Sequence, residues 1–283
     1  MKLPTLIATS VVRGSEKGQS HGGVYLIDFQ KTSTVQCIDW NDGSIDFTGR
    51  GWDRGLRGIE FYDGKIWIAA SDELFCYNQK FKLVASFKNQ YLKHCHEISK
   101  RDHLLFLTST GYDSLLVFNL ETDKFIWGLY ISKNGDEWIG QRFDPTATGG
   151  PPFTNNYHIN MVSVHQTGVH FSGLHTRALL KLKSDLTIVP ICSLPQGTHN
   201  AQMFNDSVIF NDTQSDVVRV VSSSSSSHTF QVPSYKDEHL QYNNIDCLLY
   251  TSPSPRDRQK WGFACCGCKK KEGGGGGGGG GVG

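Results

Sequence analysis

The sequence predicts an all-β fold, a β-propeller made of four-stranded antiparallel blades. The first observation is the near absence of helical periodicity. Short apolar, β-branched and aromatic segments recur instead between polar turns, as in GKIWIAAS at 64–71 and HLLFLTST at 103–110. Closely spaced strands of this kind are typical of antiparallel all-β proteins. The second observation is that these strands repeat with a period near forty residues, which is typical of a propeller blade.

Four repeat units share one order of features. A polar residue enters a short strand, a turn leads to a strongly apolar strand, and a polar turn leads to a third strand and a weaker fourth. The units align on Arg57, His96, His158 and His199, with spacings of 39, 62 and 41 residues. The long interval contains an insertion of roughly twenty residues, near 131–155.

The repeat predicts a propeller domain over residues 1–246. The predicted blades lie near 5–40, 55–90, 96–130, 158–194 and 199–235, and a last blade begins near 239. The first blade is entered partway. Propellers commonly close by pairing the two chain ends in one blade, which removes an unpaired sheet edge. We therefore expect six blades with the closing blade truncated. Five blades is the alternative, and a β-sandwich does not need such regular repetition.

Residues 247–283 are expected to be a non-native, disordered tail. CLLYTSPSPRD at 247–257 resembles a translated sequencing adapter, and the Lys run at 269–271 and the Gly run at 273–281 fit homopolymer reads. Cys265, Cys266 and Cys268 lie in this tail, so we do not count them as zinc ligands.

Composition excludes several classes of partner. Without the tail, 22 basic and 25 acidic residues give a formal net charge of −3, which does not favour nucleic acid or an anionic membrane surface. The N-terminal apolar segment is too short and too polar for a signal peptide or a membrane span. The remaining cysteines have no CxxC pairing and are predicted to be free thiols in a reducing compartment: Cys37, Cys76, Cys95 and Cys192. We predict a soluble, cytoplasmic protein.

The aligned positions form a candidate site. The first strand of each propeller blade lines the central channel, so residues at its start are neighbours at one mouth. Histidine and carboxylate side chains there can exchange protons near neutral pH. The candidate catalytic residues are His96, His158, His199 and Glu97, and the candidate ligand-binding residues are Arg57, Asn160, Asn200, Trp52 and Arg142.

The three histidines have alternative roles. His96, His158 and His199 are a candidate ligand set for one divalent metal ion. They can equally act without a metal, or they can hold neighbouring blades in register by bonding to backbone carbonyls. His165, His170 and His175 lie within one blade, and His170 and His175, which flank a short strand segment, are predicted to be ordinary strand residues.

The insertion and the segment before Arg57 complete the candidate site. Residues 136–160 contain Arg142 and run into His158, so they are predicted either to fold over the mouth as a lid or to pack on the rim as a rigid connection. Trp52 is predicted to stack on a ligand or to wedge between blades.

The blade pattern resembles the six-bladed propellers of the strictosidine synthase and gluconolactonase superfamily. The blade starts HEI, HIN and THN, with GGPP before HIN, resemble uncharacterised propellers of the DUF4915 type more closely. The resemblance covers residues 5–246 and implies the fold. The acidic calcium ligands of gluconolactonases are replaced by His and Asn here, so it implies neither calcium nor lactonase activity.

Three functions remain open. The first is a hydrolase or lyase acting on a small molecule at the His-lined mouth. The second is a non-catalytic propeller that binds a small molecule or glycan there. The third is a protein-interaction platform on the broad rim. The aligned histidines favour the first two, and the lack of WD dipeptides and of a kelch pattern counts against the third.

Overall fold

The computed structural model describes residues 4–12, 19–41, 55–222 and 227–232. These residues form five antiparallel sheets that follow one another as blades. This confirms the predicted all-β propeller of small antiparallel sheets. Helical structure within the described ranges is limited to a 3-10 turn at Thr110–Tyr112, so no helix there is long and apolar enough to cross a membrane.

The first two blades differ in their number of described strands. Blade 1 has the order β1-β2-β3 and blade 2 the order β4-β5-β6-β7. The strands of blade 1 are β1 (Leu6–Thr9), β2 (Gly23–Asp28) and β3 (Ser33–Asp39). Those of blade 2 are β4 (Ile59–Tyr62), β5 (Lys65–Ala70), β6 (Glu73–Tyr77) and β7 (Leu83–Lys88).

Blade 3 carries a fifth strand. Its strands are β8 (Ile98–Arg101), β9 (Leu104–Ser109), β10 (Ser114–Asn119), β11 (Lys124–Asn134) and β12 (Glu137–Phe143). The blade therefore extends beyond the predicted boundary at 130. The first part of the insertion is not a loop, because it pairs with the end of β11 from Gly128↔Phe143 to Asn134↔Glu137 and turns at Gly135, whose φ is 57°.

Blades 4 and 5 each have four strands in sequence order. Blade 4 contains β13 (Ile159–His165), β14 (Gly168–Gly173), β15 (Ala178–Leu182) and β16 (Ile188–Ser193). Blade 5 contains β17 (Thr198–Phe204), β18 (Ser207–Asp212), β19 (Val217–Ser222) and β20 (Ser227–Gln231). The described chain thus forms five blades rather than the predicted six. The predicted sixth blade near 239 and the predicted tail at 247–283 lie outside the described residues.

The core consists of four apolar clusters, one between each pair of successive blades. Strand alternation explains this arrangement, because side chains point to opposite faces of a sheet. In β5, Trp67 and Ala69 pack toward blade 3, whereas Ile66 and Ile68 pack toward blade 1. β5 is therefore buried on both faces, and its apolar sequence is continuous from Ile66 to Ala70.

The first strands bring the blade starts together at one end of the molecule. β4 contacts β8, β8 contacts β13, and β13 contacts β17. A threonine at the end of a second strand also bonds to the start of the next blade. Thr110 Oγ1 donates to the Ile159 carbonyl at 2.6 Å, and Thr9 Oγ1 donates to the Arg57 carbonyl at 2.6 Å. Thr9 ends β1 and Thr110 directly follows β9, the second strand of blade 3. β1 therefore corresponds to the second strand of a blade.

Candidate functional site

The segment His96–Glu97 is held in place by the Thr108 hydroxyl. Thr108 Oγ1 accepts the backbone N–H groups of His96 and Glu97, both at 3.0 Å, and donates to the Glu97 carbonyl at 3.2 Å. Thr108 lies on β9 and is fully buried. The second strand of blade 3 therefore fixes the two residues that begin its first strand.

Local hydrogen bonds determine the tautomer of the His96 ring. Its Nδ1 lies 2.6 Å from the His94 carbonyl and 2.8 Å from Thr110 Oγ1. A carbonyl only accepts, and the Thr110 hydroxyl already donates to Ile159, so Nδ1 carries the hydrogen. The buried Nε2 then holds the lone pair in the neutral ring.

Asp113 positions the chain that leads into His158. Its carboxylate accepts the backbone N–H groups of Asn156 at 2.5 Å and of Tyr157 and His158 at 2.9 Å, and the Thr154 hydroxyl at 2.9 Å. Asp113 is fully buried, and burial raises its pKa although these four donors act in the opposite direction. Sequence reasoning missed this residue.

The structure brings two of the three aligned histidines into contact. The ring centroids of His96 and His158 lie 5.3 Å apart at an angle of 60°. His199 repeats the local geometry of His96, because its Nδ1 lies 3.0 Å from the Gly197 carbonyl two residues earlier. His158 Nδ1 lies 3.0 Å from Asn155 Oδ1. Each ring thus uses Nδ1 to bond to its own blade start.

The metal prediction receives no support from this geometry. Within the ranges that the structure describes, no three His, Cys, Asp or Glu side chains converge as a metal site requires. The Nδ1 atoms of His96, His158 and His199 are taken up by local contacts. A metal ion could use only their second nitrogens, which are buried.

A cavity of about 240 Å³ contains three of the predicted residues. It is lined by residues 7–11 and 56–59 together with His96 and Glu97, and so includes Arg57. Arg57 and His96 are buried, whereas Glu97 is partly exposed. The cavity lies between the end of β1 and the starts of β4 and β8.

Glu97 is the most strongly perturbed acid in this cavity. Burial raises its pKa to about 7, and the nearby Glu60 carboxylate acts in the same direction. The Ile98 N–H, which donates to Oε1 at 3.0 Å, and the Arg57 charge act in the opposite direction without cancelling the effect of burial. A carboxyl group with a pKa near 7 changes its protonation state at neutral pH.

Gly58 leaves the space that the Glu97 side chain occupies. A Cβ at residue 58 would lie 2.5 Å from Glu97 Oε1 and 2.5 Å from the Ile98 nitrogen. Gly58→Ala is therefore expected to lower the free energy of unfolding by about 1–3 kcal/mol, because overpacking forces backbone shifts. It should also return the pKa of Glu97 toward 4.5, which carbon NMR of labelled glutamate measures.

The control for this change is Gly135→Ala. Gly135 has a φ of 57° but no heavy atom near a built Cβ, so its substitution strains the backbone without crowding Glu97. An unchanged pKa of Glu97 in Gly58→Ala would show that the glycine does not control the carboxylate.

The other predicted site residues do not line this cavity or lie outside the residues that the structure describes. Arg142 lies on β12, the outermost strand of blade 3, opposite Leu129 of β11. β12 is four strands away from β8. At strand spacing this is roughly 19 Å from the first strand, so the structure does not bring Arg142 together with Arg57, His96 and Glu97. Asn160 is buried and Asn200 is half-buried at the starts of blades 4 and 5. Trp52 lies outside the described residues.

The second part of the insertion packs on the rim. Tyr91 Oη donates to the Ala147 carbonyl at 3.1 Å and accepts the Gly150 N–H at 2.7 Å. The Asn89 side chain donates to the Pro145 carbonyl at 3.1 Å. Together with the Asp113 contacts, these bonds make residues 144–157 a fixed connection rather than a loop over the mouth.

The signal that could have identified Asp113 is its place in the repeat. It lies in the turn between the second and third strands of its blade, in the sequence GYDS, and has a left-handed φ of 44°. Thr108 and Thr110 could have been found from the alternation in LTST, since they follow the apolar part of β9.

Comparisons with known proteins show the fold. No family model and no curated protein matches the chain. A protein of unknown function from Bacteroides caccae matches 83% of this chain and 80% of its own with a TM-score of 0.52 and 7% identity. One from Bacteroides thetaiotaomicron matches 78% and 57% with a TM-score of 0.50 and 8% identity.

A lyase is also among the structural neighbours. Virginiamycin B lyase from Staphylococcus aureus matches 86% of this chain and 91% of its own, with a TM-score of 0.47 and 9% identity. At such identities, the likenesses with TM-scores of 0.50 and 0.52 show a shared fold and nothing about chemistry. The resemblance to the gluconolactonase superfamily and to DUF4915-type proteins finds no family match.

Proposed function

We propose that this propeller binds a small polar molecule in the cavity beside Arg57, His96 and Glu97, and that Glu97 acts there as the acid–base group of a hydrolase or lyase. The observation that carries the proposal is a cavity of about 240 Å³ lined by Arg57, His96 and Glu97, in which burial raises the pKa of the Glu97 carboxyl group to about 7. Perturbed carboxyl groups in concave sites are candidates for catalysis.

Glu97 suits proton transfer because its pKa lies near the pH of the cell. A general base works best when it is deprotonated at the operating pH and still holds a proton firmly once it has taken one. An ordinary glutamate with a pKa near 4.5 accepts protons poorly at neutral pH. Tuning by burial is a recurrent way to place a carboxyl group in this range.

Arg57 and His96 give the cavity its recognition chemistry. Arg57 carries a permanent positive charge that can bind a carboxylate or another anionic group of the ligand through its guanidinium. His96 lines the same cavity, and the contact of its Nδ1 with the His94 carbonyl fixes the orientation of the ring in the cavity wall.

His158 and His199 are better described as structural. Their Nδ1 atoms bond to Asn155 and Gly197 within their own blade starts, and neither residue lines the cavity. This observation favours a second candidate function, non-catalytic binding of a small molecule or glycan, for which Arg57 and His96 suffice and Glu97 only needs to bond to the ligand.

The test uses 4-nitrophenyl acetate as a reporter substrate. Water attacks the ester carbonyl, Glu97 takes the proton of that water, and 4-nitrophenolate leaves, which is followed by absorbance. We expect kcat/KM to rise with pH through an inflection near 7, the pKa of Glu97. Glu97→Gln should lose about a hundredfold in kcat/KM and the inflection with it.

Glu137→Gln, at an exposed carboxylate on β12, is the matched control and should keep the wild-type profile. Acetate binding, measured by NMR, separates the two functions. Binding that Arg57→Gln abolishes, without turnover of the ester, supports the non-catalytic function. If the protein showed no turnover of the ester and no Arg57-dependent binding of acetate, the proposal of a site in this cavity would be contradicted.

A further inference from the structure

A second group of polar residues lies at the opposite end of blade 4. β13 begins beside His158 and ends at His165, so this group is roughly 20 Å from the first site. Hydrogen bonds link the side chains of His165, Thr167 and His170 in series. Thr167 Oγ1 lies 3.1 Å from His165 Nδ1 and 3.3 Å from His170 Nε2.

Two cations complete the group from neighbouring strands. Arg101, at the end of β8 in blade 3, donates from Nη2 to the His165 carbonyl at 2.8 Å. Lys181 on β15 is the direct cross-strand neighbour of His170, so their side chains share one face of the sheet. The Lys181 side chain also passes over Gly168, where a Cβ would lie 3.3 Å from its Cε.

The group has an accessible outer part and a buried inner part. Arg101 and Thr167 are exposed, and His165 and Lys181 are partly buried. His170 is 1% exposed. An anion could therefore reach the cationic side chains from solvent while the His170 ring forms the inner wall.

The electrostatics of the group are uniformly positive around His170. Burial is the main reason that the pKa of His170 falls to about 4, and Lys181, His165 and Arg101 each lower it further. The positive charges of Lys181 and Arg101 disfavour a further positive charge on His170, and a bound anion offsets this repulsion.

We propose that His165, Thr167, His170, Lys181 and Arg101 form a binding site for a phosphate-class oxyanion. Guanidinium and ammonium groups donate charge-assisted hydrogen bonds to phosphate oxygens, and such bonds are the strong ones. A neutral imidazole N–H donates an ordinary hydrogen bond to the same oxygens. A hydroxyl group lies between the two rings, and the two cations come from two different strands, β8 and β15. The ligand is a free phosphate or phosphomonoester, or the phosphate of a lipid headgroup.

The test follows the imidazole nitrogens of His165 and His170 by long-range proton–nitrogen NMR while inorganic phosphate is added, with sodium chloride keeping the ionic strength constant. We expect saturable shifts of both rings. Phosphate should also raise the pKa of His170 above its value of about 4, because the anion binds the protonated ring better.

Arg101→Gln and Lys181→Gln should each weaken phosphate binding by about tenfold, because each removes a charged donor. Lys31→Gln is the matched control. It removes the same charge from an exposed lysine of blade 1 and should leave the affinity unchanged. An equal loss in the control, or no saturable shift in the wild type, overturns the proposal.

Vesicles distinguish the two sources of phosphate. Sedimentation with phosphatidic acid vesicles, absent with phosphatidylcholine and lost in Arg101→Gln, assigns the site to a lipid headgroup. Saturable binding of inorganic phosphate without vesicle binding assigns it to a soluble phosphate. Both results support an oxyanion site, and the failure of both probes contradicts it.

Discussion

Asp113→Ala is expected to lower the free energy of unfolding by about 3–5 kcal/mol, because it removes a buried acceptor that four donors share. The backbone N–H groups of Asn156, Tyr157 and His158 and the Thr154 hydroxyl would lose their partner together. Since these donors belong to the connection between blades 3 and 4, the loss affects how two blades join. Urea unfolding followed by tryptophan fluorescence measures the change.

Two variants separate this effect from a general response to substitution. Asp113→Asn retains one acceptor oxygen and tolerates the left-handed φ of 44°, so it should cost about half as much as the alanine variant. Asp144→Asn changes an exposed aspartate that bonds to the Thr146 N–H and hydroxyl in the same manner. It should cost less than about 1 kcal/mol. A cost this small for Asp113→Ala would contradict the role assigned to Asp113.

His170 should make stability depend on pH between about 6.5 and 4. Burial and the charges of Lys181, His165 and Arg101 lower its pKa from 6.5 to about 4. Below pH 6.5, His170 binds a proton in the unfolded chain but not in the folded chain. The stabilisation is therefore complete above pH 6.5 and is lost as the pH falls toward 4. The loss amounts to about 3 kcal/mol at 1.36 kcal/mol per pKa unit.

The measurement is urea unfolding of the wild type and His170→Gln across this pH range. Glu97 acts in the opposite direction, because its raised pKa means that stability is lost as the pH rises from 4.5 to about 7. Only the difference between the two proteins isolates His170. His228→Gln, at an exposed histidine, is the control. If His170→Gln kept the wild-type slope, the ring would have to be protonated in the folded state.

The repeat in the sequence predicted the blade starts well because packing is periodic. β4, β8, β13 and β17 begin within two residues of Arg57, His96, His158 and His199, respectively. Alternating apolar residues that pack against both neighbouring blades are a local pattern, so the sequence alone reveals them. The number of blades depends on the rotation between blades, which no local pattern encodes.

The strand in the first part of the insertion was not predicted, because that strand depends on a partner. Glu137–Phe143 has only weak alternation, and it becomes a strand by pairing with the extended end of β11. The Gly149–Pro152 sequence was compatible with a lid over the mouth or with a rigid connection on the rim. It said nothing about Tyr91, which fixes that connection from 56 residues away.

The site was predicted in part, because periodic packing of the blades brings their aligned first residues together. The alignment placed Arg57, His96 and Glu97 near one another, and one cavity contains all three. The tautomers of the His96 and His199 rings could not be predicted. They depend on the directions of the His94 and Gly197 carbonyls, which are set by the backbone geometry. Asp113 acts on residues 41 to 45 positions away, and such pairings follow only from the assembled blades.

The threonine bonds between blades define where this chain can be divided. Thr110 and Ile159 belong to different sheets, so a cut in the linker between blades separates the hydroxyl from its carbonyl. A cut in the turn between a first and a second strand, such as Asp63–Gly64, keeps each such pair within one fragment. The unit suited to fragment complementation or to grafting therefore starts at a second strand and ends with the first strand of the following blade.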